Sequence, residues 1–151
     1  MKSPVREYRP PGSVRGAPGN RCPYLDREYN RPTMFNFEKL EVWNEAIAFA
    51  DMIYATTKSL PGEERFGLTH QMRRAAVSIA SNIAEGSSRS SRPDFARFIE
   101  IATGSVFEVV SQATISQRQG FLSQEAYSRI YAAADKQSRR LSGLRHSLDV
   151  A

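Results

Sequence analysis

The residues that could do chemistry in this chain are few: two histidines, one cysteine and a scatter of carboxylates and cations. Metal centres in helical bundles use Glu-x-x-His on facing helices. Here glycines, Gly67 and Gly143, stand three residues before His70 and His146, so that signature is absent. Cys22 stands alone, which leaves neither an internal disulfide nor a zinc motif. There is no phosphate-binding glycine loop and no nucleophile elbow. Glu85, Glu100 and Glu108 read as ion-pair partners of Arg73, Arg74 or Arg97 rather than as acid–base catalysts. The sequence therefore predicts no enzyme, no cofactor and no metal, with both histidines as surface or packing residues.

Cations are the better lead. Arg129, Lys136 and Arg140 project within about 40° of one another on a helix, away from its apolar face. Arg139 flanks them, Arg118 ends the preceding helix, and Arg89 and Arg92 lie in a loop. Phosphate contacts need a stripe of this kind and no particular fold. The competing reading is a solvated helix face. One copy carries few charges, but an oligomer repeats them, and avidity would then make weak RNA or DNA binding useful. The alternative is an oligomeric scaffold that recruits a protein partner.

The elements that must position these residues follow from apolar spacing. The chain carries a net charge of +5, most of it at the start. Residues 1–32 hold seven basic side chains against three acidic ones, and six of the eight prolines. No apolar period runs through them, so residues 1–33 are expected to form a disordered tail. That tail reads as a basic arm for nucleic acid, as a solvated segment, or as sequence upstream of a true start at Met34. From residue 34 to 151 one all-α domain is expected. Its first helix spans about 37–59, with Leu40, Trp43, Ile47, Ala50, Tyr54 and Thr57 recurring on one face and Pro61-Gly62 ending it. A second runs from about 64–68 to Glu85, with Gly86 as a left-handed C′ residue. A third begins at Ser91, with Asp94 completing a cap and Pro93 in the first turn, and closes at Gly120. Its core face is Phe95, Phe98, Ile99, Ala102, Val106, Val109, Val110 and Ala113. A fourth starts at Ser123 and repeats Tyr127, Ile130, Ala134, Gln137, Leu141, Leu144 and Leu148. Four such helices on short loops predict an antiparallel up-and-down four-helix bundle. No run of about 18 apolar residues could cross a membrane. The N-terminus lacks the apolar core of a secretory signal, and with a single cysteine a cytoplasmic setting is expected.

The second helix is too apolar for a bundle alone. Leu68, Met72, Ala75, Ala76, Ile79 and Ile83 form one arc, which Val77, Ala80 and Ala84 widen to roughly 200°, where a bundle helix needs little more than about 100°. Either this helix is central between two neighbours, or the Ala-rich flank is a contact between copies of the chain. In the second case Arg73, beside Val77, Ala80 and Ala84, would anchor the contact on a carboxylate or carbonyl. Phe107, well off the core face of the third helix, is a further candidate for that contact.

Three stretches carry a family resemblance. These are Phe37-Glu38-Lys39-Leu40-Glu41-Val42-Trp43, then Glu63-Glu64-Arg65-Phe66-Gly67-Leu68-Thr69, then Arg73 to Ile79 with Ser81-Asn82-Ile83-Ala84-Glu85-Gly86. With Phe95, Phe98 and Ala102 to Ser105, the chain from about 35 to 148 resembles the 23S rRNA intervening-sequence proteins. The resemblance implies a four-helix bundle assembling into rings, commonly pentamers. It also implies kinship with accessory proteins of diversity-generating retroelements, which bind nucleic acid and a reverse transcriptase. Ala80 departs from the pattern, where relatives often carry proline, and so does the Ser/Arg-rich loop 87–92.

Overall fold

The computed structural model describes residues 35–150. The expected tail at 1–33, Cys22 and the proposed start at Met34 lie outside them. Four α-helices follow one another: α1 (Glu41–Thr57), α2 (Leu68–Ser87), α3 (Arg92–Arg118) and α4 (Gln124–Asp149). Short 3-10 turns precede α1 and α2, at Asn36–Lys39 and Gly62–Phe66. No strand occurs among the described residues.

Local chemistry sets the boundaries. Leu40 is extended and separates the first turn from α1, so the continuous helix expected from residue 37 is broken there. The Glu64 carboxylate accepts from the Leu68 backbone N–H at 3.0 Å and caps α2 at its positive end. At α3, the Ser91 hydroxyl accepts from the Asp94 N–H and donates to the Asp94 carboxylate, with Pro93 in the first turn. That helix ends in a Schellman motif. Gly120 has φ +77° and donates to the Gln117 carbonyl, while Phe121 donates to Ser116. The Ser123 hydroxyl caps α4 through the Ala126 N–H.

Gly86 corrects one expectation. It is not a left-handed C′ residue: α2 runs through it to Ser87, and its φ is not positive. A Cβ there would lie 2.6 Å from the Phe95 ring and 2.8 Å from Phe98 Cβ. Glycine is required because α2 and α3 approach closely, not because the chain turns.

Side-chain contacts fix the topology. Gly86 meets Phe95, Ser78 meets Ser105 at 2.9 Å, and Met72 meets Ser116, so α2 and α3 run antiparallel. Glu100 with Arg145, and Thr114 with Tyr127, set α3 against α4 in the same sense. Lys136 with Glu45, and Arg140 with Glu41, close the ring between α4 and α1. Each helix packs on two neighbours, in the cyclic order α1, α2, α3, α4.

The core is filled by Ile53, Met72, Ile79, Ile83, Ile99, Val106, Val109, Ile130 and Leu141, spaced by alanines. Each large side chain stabilises the fold by about 1.5–3 kcal/mol through burial. On α2, α3 and α4 the core positions expected from spacing are buried or half-buried, Val77 apart, and Thr69, Ala96, Ser105 and Ser116 are buried besides. On α1 the core lies on a different stripe from the one read in the sequence. Val42, Ala46, Phe49, Ile53 and Thr57 face the core, while Ile47 and Tyr54 stay 38% and 44% exposed. The helix carries two adjacent 3-4 stripes, and the one with the single tryptophan lies on the flank beside α2.

Candidate functional site

A four-helix ring presents four outer faces, each built by two neighbouring helices. Between α1 and α2 the flank stripe of α1 runs beside the widened arc of α2. Tyr54 and Ile47 are exposed there, with Val77 from α2 43% exposed. Phe35 and Phe37 stack at 5.7 Å and Phe37 meets Trp43, so apolar rings also gather where α1 begins. Ala84 is half-buried on this flank, but Ala80 is buried between the two helices and is a packing residue of the single chain.

Arg73 lies in the same seam and has partners within its own chain. Its Nε donates to the Thr57 hydroxyl at 2.8 Å, and its guanidinium stacks 4.8 Å from the Tyr54 ring centre. The sequence had suggested a carboxylate or carbonyl of another copy as its partner; Nε is instead bonded within the chain, and Arg73 forms no ion pair among the described residues. The contact ties the end of α1 to the first third of α2.

The face between α3 and α4 lies across the bundle from the α1/α2 face. Phe107 is 62% exposed and rims a cleft with Val110, Tyr131 and Ala134. The cleft volume is about 330 Å³. Phe107 is thus positioned as the sequence placed it, off the core, and Tyr131 joins it.

The cationic stripe of α4 is brought together but not left open. Arg129, Lys136 and Arg140 sit on the side of α4 that faces α1. Lys136 pairs with Glu45 at 3.0 Å, and Arg140 pairs with Glu41 at 2.7 Å and Glu45 at 3.2 Å. The hydrogen bond to Glu41, with the charge of Glu45, raises the Arg140 pKa above its ordinary value. Arg139 pairs with Asp135 one turn back, and Arg89 with Glu85 while stacking on the Phe98 ring. Arg92 donates to the Ser147 carbonyl and fastens the start of α3 to the end of α4. Of the seven candidate phosphate contacts, Arg92, Arg118 and Arg129 form no ion pair among the described residues, and of these Arg92 donates to a backbone carbonyl. Lys136 and Arg140 of the expected phosphate-binding stripe form interhelical pairs, because the acids Glu41 and Glu45 of α1 lie opposite them.

The carboxylates find other partners than expected. Glu85 pairs with Arg89 and Glu100 with Arg145. The hydrogen bond to Glu100, then that to Asp149, raises the Arg145 pKa. Glu108 forms no ion pair among the described residues. His70 and His146 are both exposed, and no group of three His, Cys, Asp or Glu residues there could hold a metal.

The fourth kind of surface escaped the sequence reading. Between α2 and α3 runs an open groove of about 1050 Å³. Ala75, Ser78, Gly104 and Ser105 lie along it, with Phe66 at one end and Ile101 at the other. Phe66 is 84% exposed. Its signals were a large aromatic in a short connection and a glycine in mid-helix.

Comparison with known proteins places this architecture. The family model described as 23S rRNA-intervening sequence protein matches residues 38–143. A solved structure from Bacteroides thetaiotaomicron, described as a protein with unknown function from the S23 ribosomal protein family, is similar with a TM-score of 0.65. It is 25% identical and covers 70% of this chain and 95% of its own. No curated protein matches.

Proposed function

The chain belongs to the 23S rRNA-intervening sequence protein family, and from that premise we propose that it is a non-catalytic bundle that assembles head to tail with copies of itself and serves as a multivalent scaffold. The observation that carries this reading is the pair of apolar faces on opposite sides of the bundle. One holds Ile47, Tyr54 and Val77, the other Phe107 and Tyr131. Exposed large apolar side chains gathered on a face mark a protein contact. Two different faces back to back favour a heterologous contact, in which one copy's α1/α2 face meets the next copy's α3/α4 face. Such contacts close into rings when the rotation allows, and the pentamer that the family resemblance suggests is one closure.

RNA or DNA binding through α4 has less support, because most of its cations already hold carboxylates. A scaffold that recruits a protein is the better reading. A reverse transcriptase is one such partner by family resemblance. The test is light scattering on the full chain with Val77→Glu and Phe107→Glu. The parent is expected above the 17.0 kDa chain mass, and both variants at or near it. A monomeric parent overturns the reading.

A further inference from the structure

We propose that the α2/α3 groove is the docking site for an amphipathic helix of a partner protein. That helix would be about three turns long, presenting a cation to α3 and a carboxylate to α2.

The groove has the length and floor for this guest. From Ile101 to Gln112 its α3 wall extends about three helical turns. Small side chains line it, and α2 and α3 meet there through the Ser78–Ser105 hydrogen bond. Small residues let a third backbone come close, so that an amphipathic helix can lie along the groove.

Gly104 points outward to a partner. It sits inside α3, where glycine weakens a helix, and a Cβ there would meet nothing within 4 Å. Packing within the chain gives no reason for a glycine, in contrast to Gly86. A guest lying along the groove does.

The walls say what charge the guest carries. On α3, Glu108 has no ion pair among the described residues, and one turn on, the buried Gln112 Oε1 has no hydrogen-bond partner. Glu108 is the exposed acceptor that a guest arginine or lysine would meet. On α2, Arg74 has no ion pair among the described residues and lines the opposite wall beside Gln71. It calls for a carboxylate. Phe66 and Ile101 at the two ends offer apolar contact to the guest's stripe. With one anionic and one cationic wall, the groove does not match a phosphate backbone, which needs cations throughout.

The probe is a cross-linked helical peptide with an Ala/Leu stripe, Arg along one edge and Glu along the other, titrated into the full chain by fluorescence anisotropy. Control peptides carry Arg on both edges or Glu on both. The mixed peptide is expected to bind at least tenfold more tightly than either control. Gly104→Leu, which enters open space, is expected to weaken it at least tenfold while leaving the light-scattering mass at the parent's value. No binding of the mixed peptide, equal binding of all three, or full binding by Gly104→Leu overturns the assignment. So does a lower mass for Gly104→Leu, since the groove would then be a contact between copies. A monomeric parent would sink the head-to-tail assembly but not this site, so the two failures read separately.

Discussion

Gly86 and Arg73 hold α2 against its two neighbours, and each makes a prediction. Gly86→Ala gains up to about 1 kcal/mol in helix propensity but pushes a methyl into the Phe95 and Phe98 side chains. Overpacking of this kind costs roughly 1–3 kcal/mol, so the urea midpoint is expected to fall; a rise would show that α3 moves away freely. Arg73→Ala removes a hydrogen bond and a ring contact, with an expected loss of about 1–2 kcal/mol. Arg73→Lys should recover less than half, because an ammonium cannot both stack flat on Tyr54 and donate sideways to Thr57. Equal stability of Arg73→Lys and the parent, by the same denaturation, would contradict this role. The sequence showed that Gly86 and Arg73 were special but not why. A glycine near a helix end has two uses, turning or close approach, and only the position of Phe95 decides between them. Arg73 beside an alanine row looks like an intermolecular anchor until Thr57 is placed opposite.

Among the elements, α1 and α4 show what a single helix can and cannot reveal. On α4 one 3-4 stripe exists, and it is the buried one. On α1 two stripes compete, and the choice between them depends on which flank α2 covers. The cations of α4 were legible as a stripe, while their neutralisation was not, because Glu41 and Glu45 lie about ninety residues away in sequence. Two predictions belong here. If RNA binds through the seven candidate cations, only Arg92, Arg118 and Arg129 hold no carboxylate among the described residues. The slope of log affinity against log salt for single strands should then be no steeper than about −2.1 per copy. A much steeper slope in filter binding would mean that the α1–α4 pairs open. The second concerns pH. Because the pKa values of Arg140 and Arg145 are raised, the stability they add is complete below the ordinary arginine value. It is lost only as pH rises through the raised one. The difference in thermal midpoint between the parent and Arg140→Gln/Arg145→Gln should therefore be the same at pH 7 and pH 10. A difference that shrinks across that range would place the titration elsewhere.

For the whole molecule, spacing and short connections sufficed to reach the bundle, since buried periodicity and antiparallel packing follow from them. What lies on the outside did not follow as readily. Phe107 could be placed off the core from α3 alone, but its position across the bundle from Val77 needs the closed ring of four helices. The groove beside Gly104 needs two helices to exist at all. If the two opposite apolar faces are complementary, two variants that each spoil one face should bind each other when mixed. Val77→Glu spoils one face and Phe107→Glu the other, so each alone should be monomeric. Mixed in equal amounts they still share one intact pair of faces. A heterodimer at twice the 17.0 kDa chain mass, with no larger species, is expected in light scattering coupled to size exclusion. Two monomers that ignore each other, or either variant remaining as large as the parent, would contradict that complementarity.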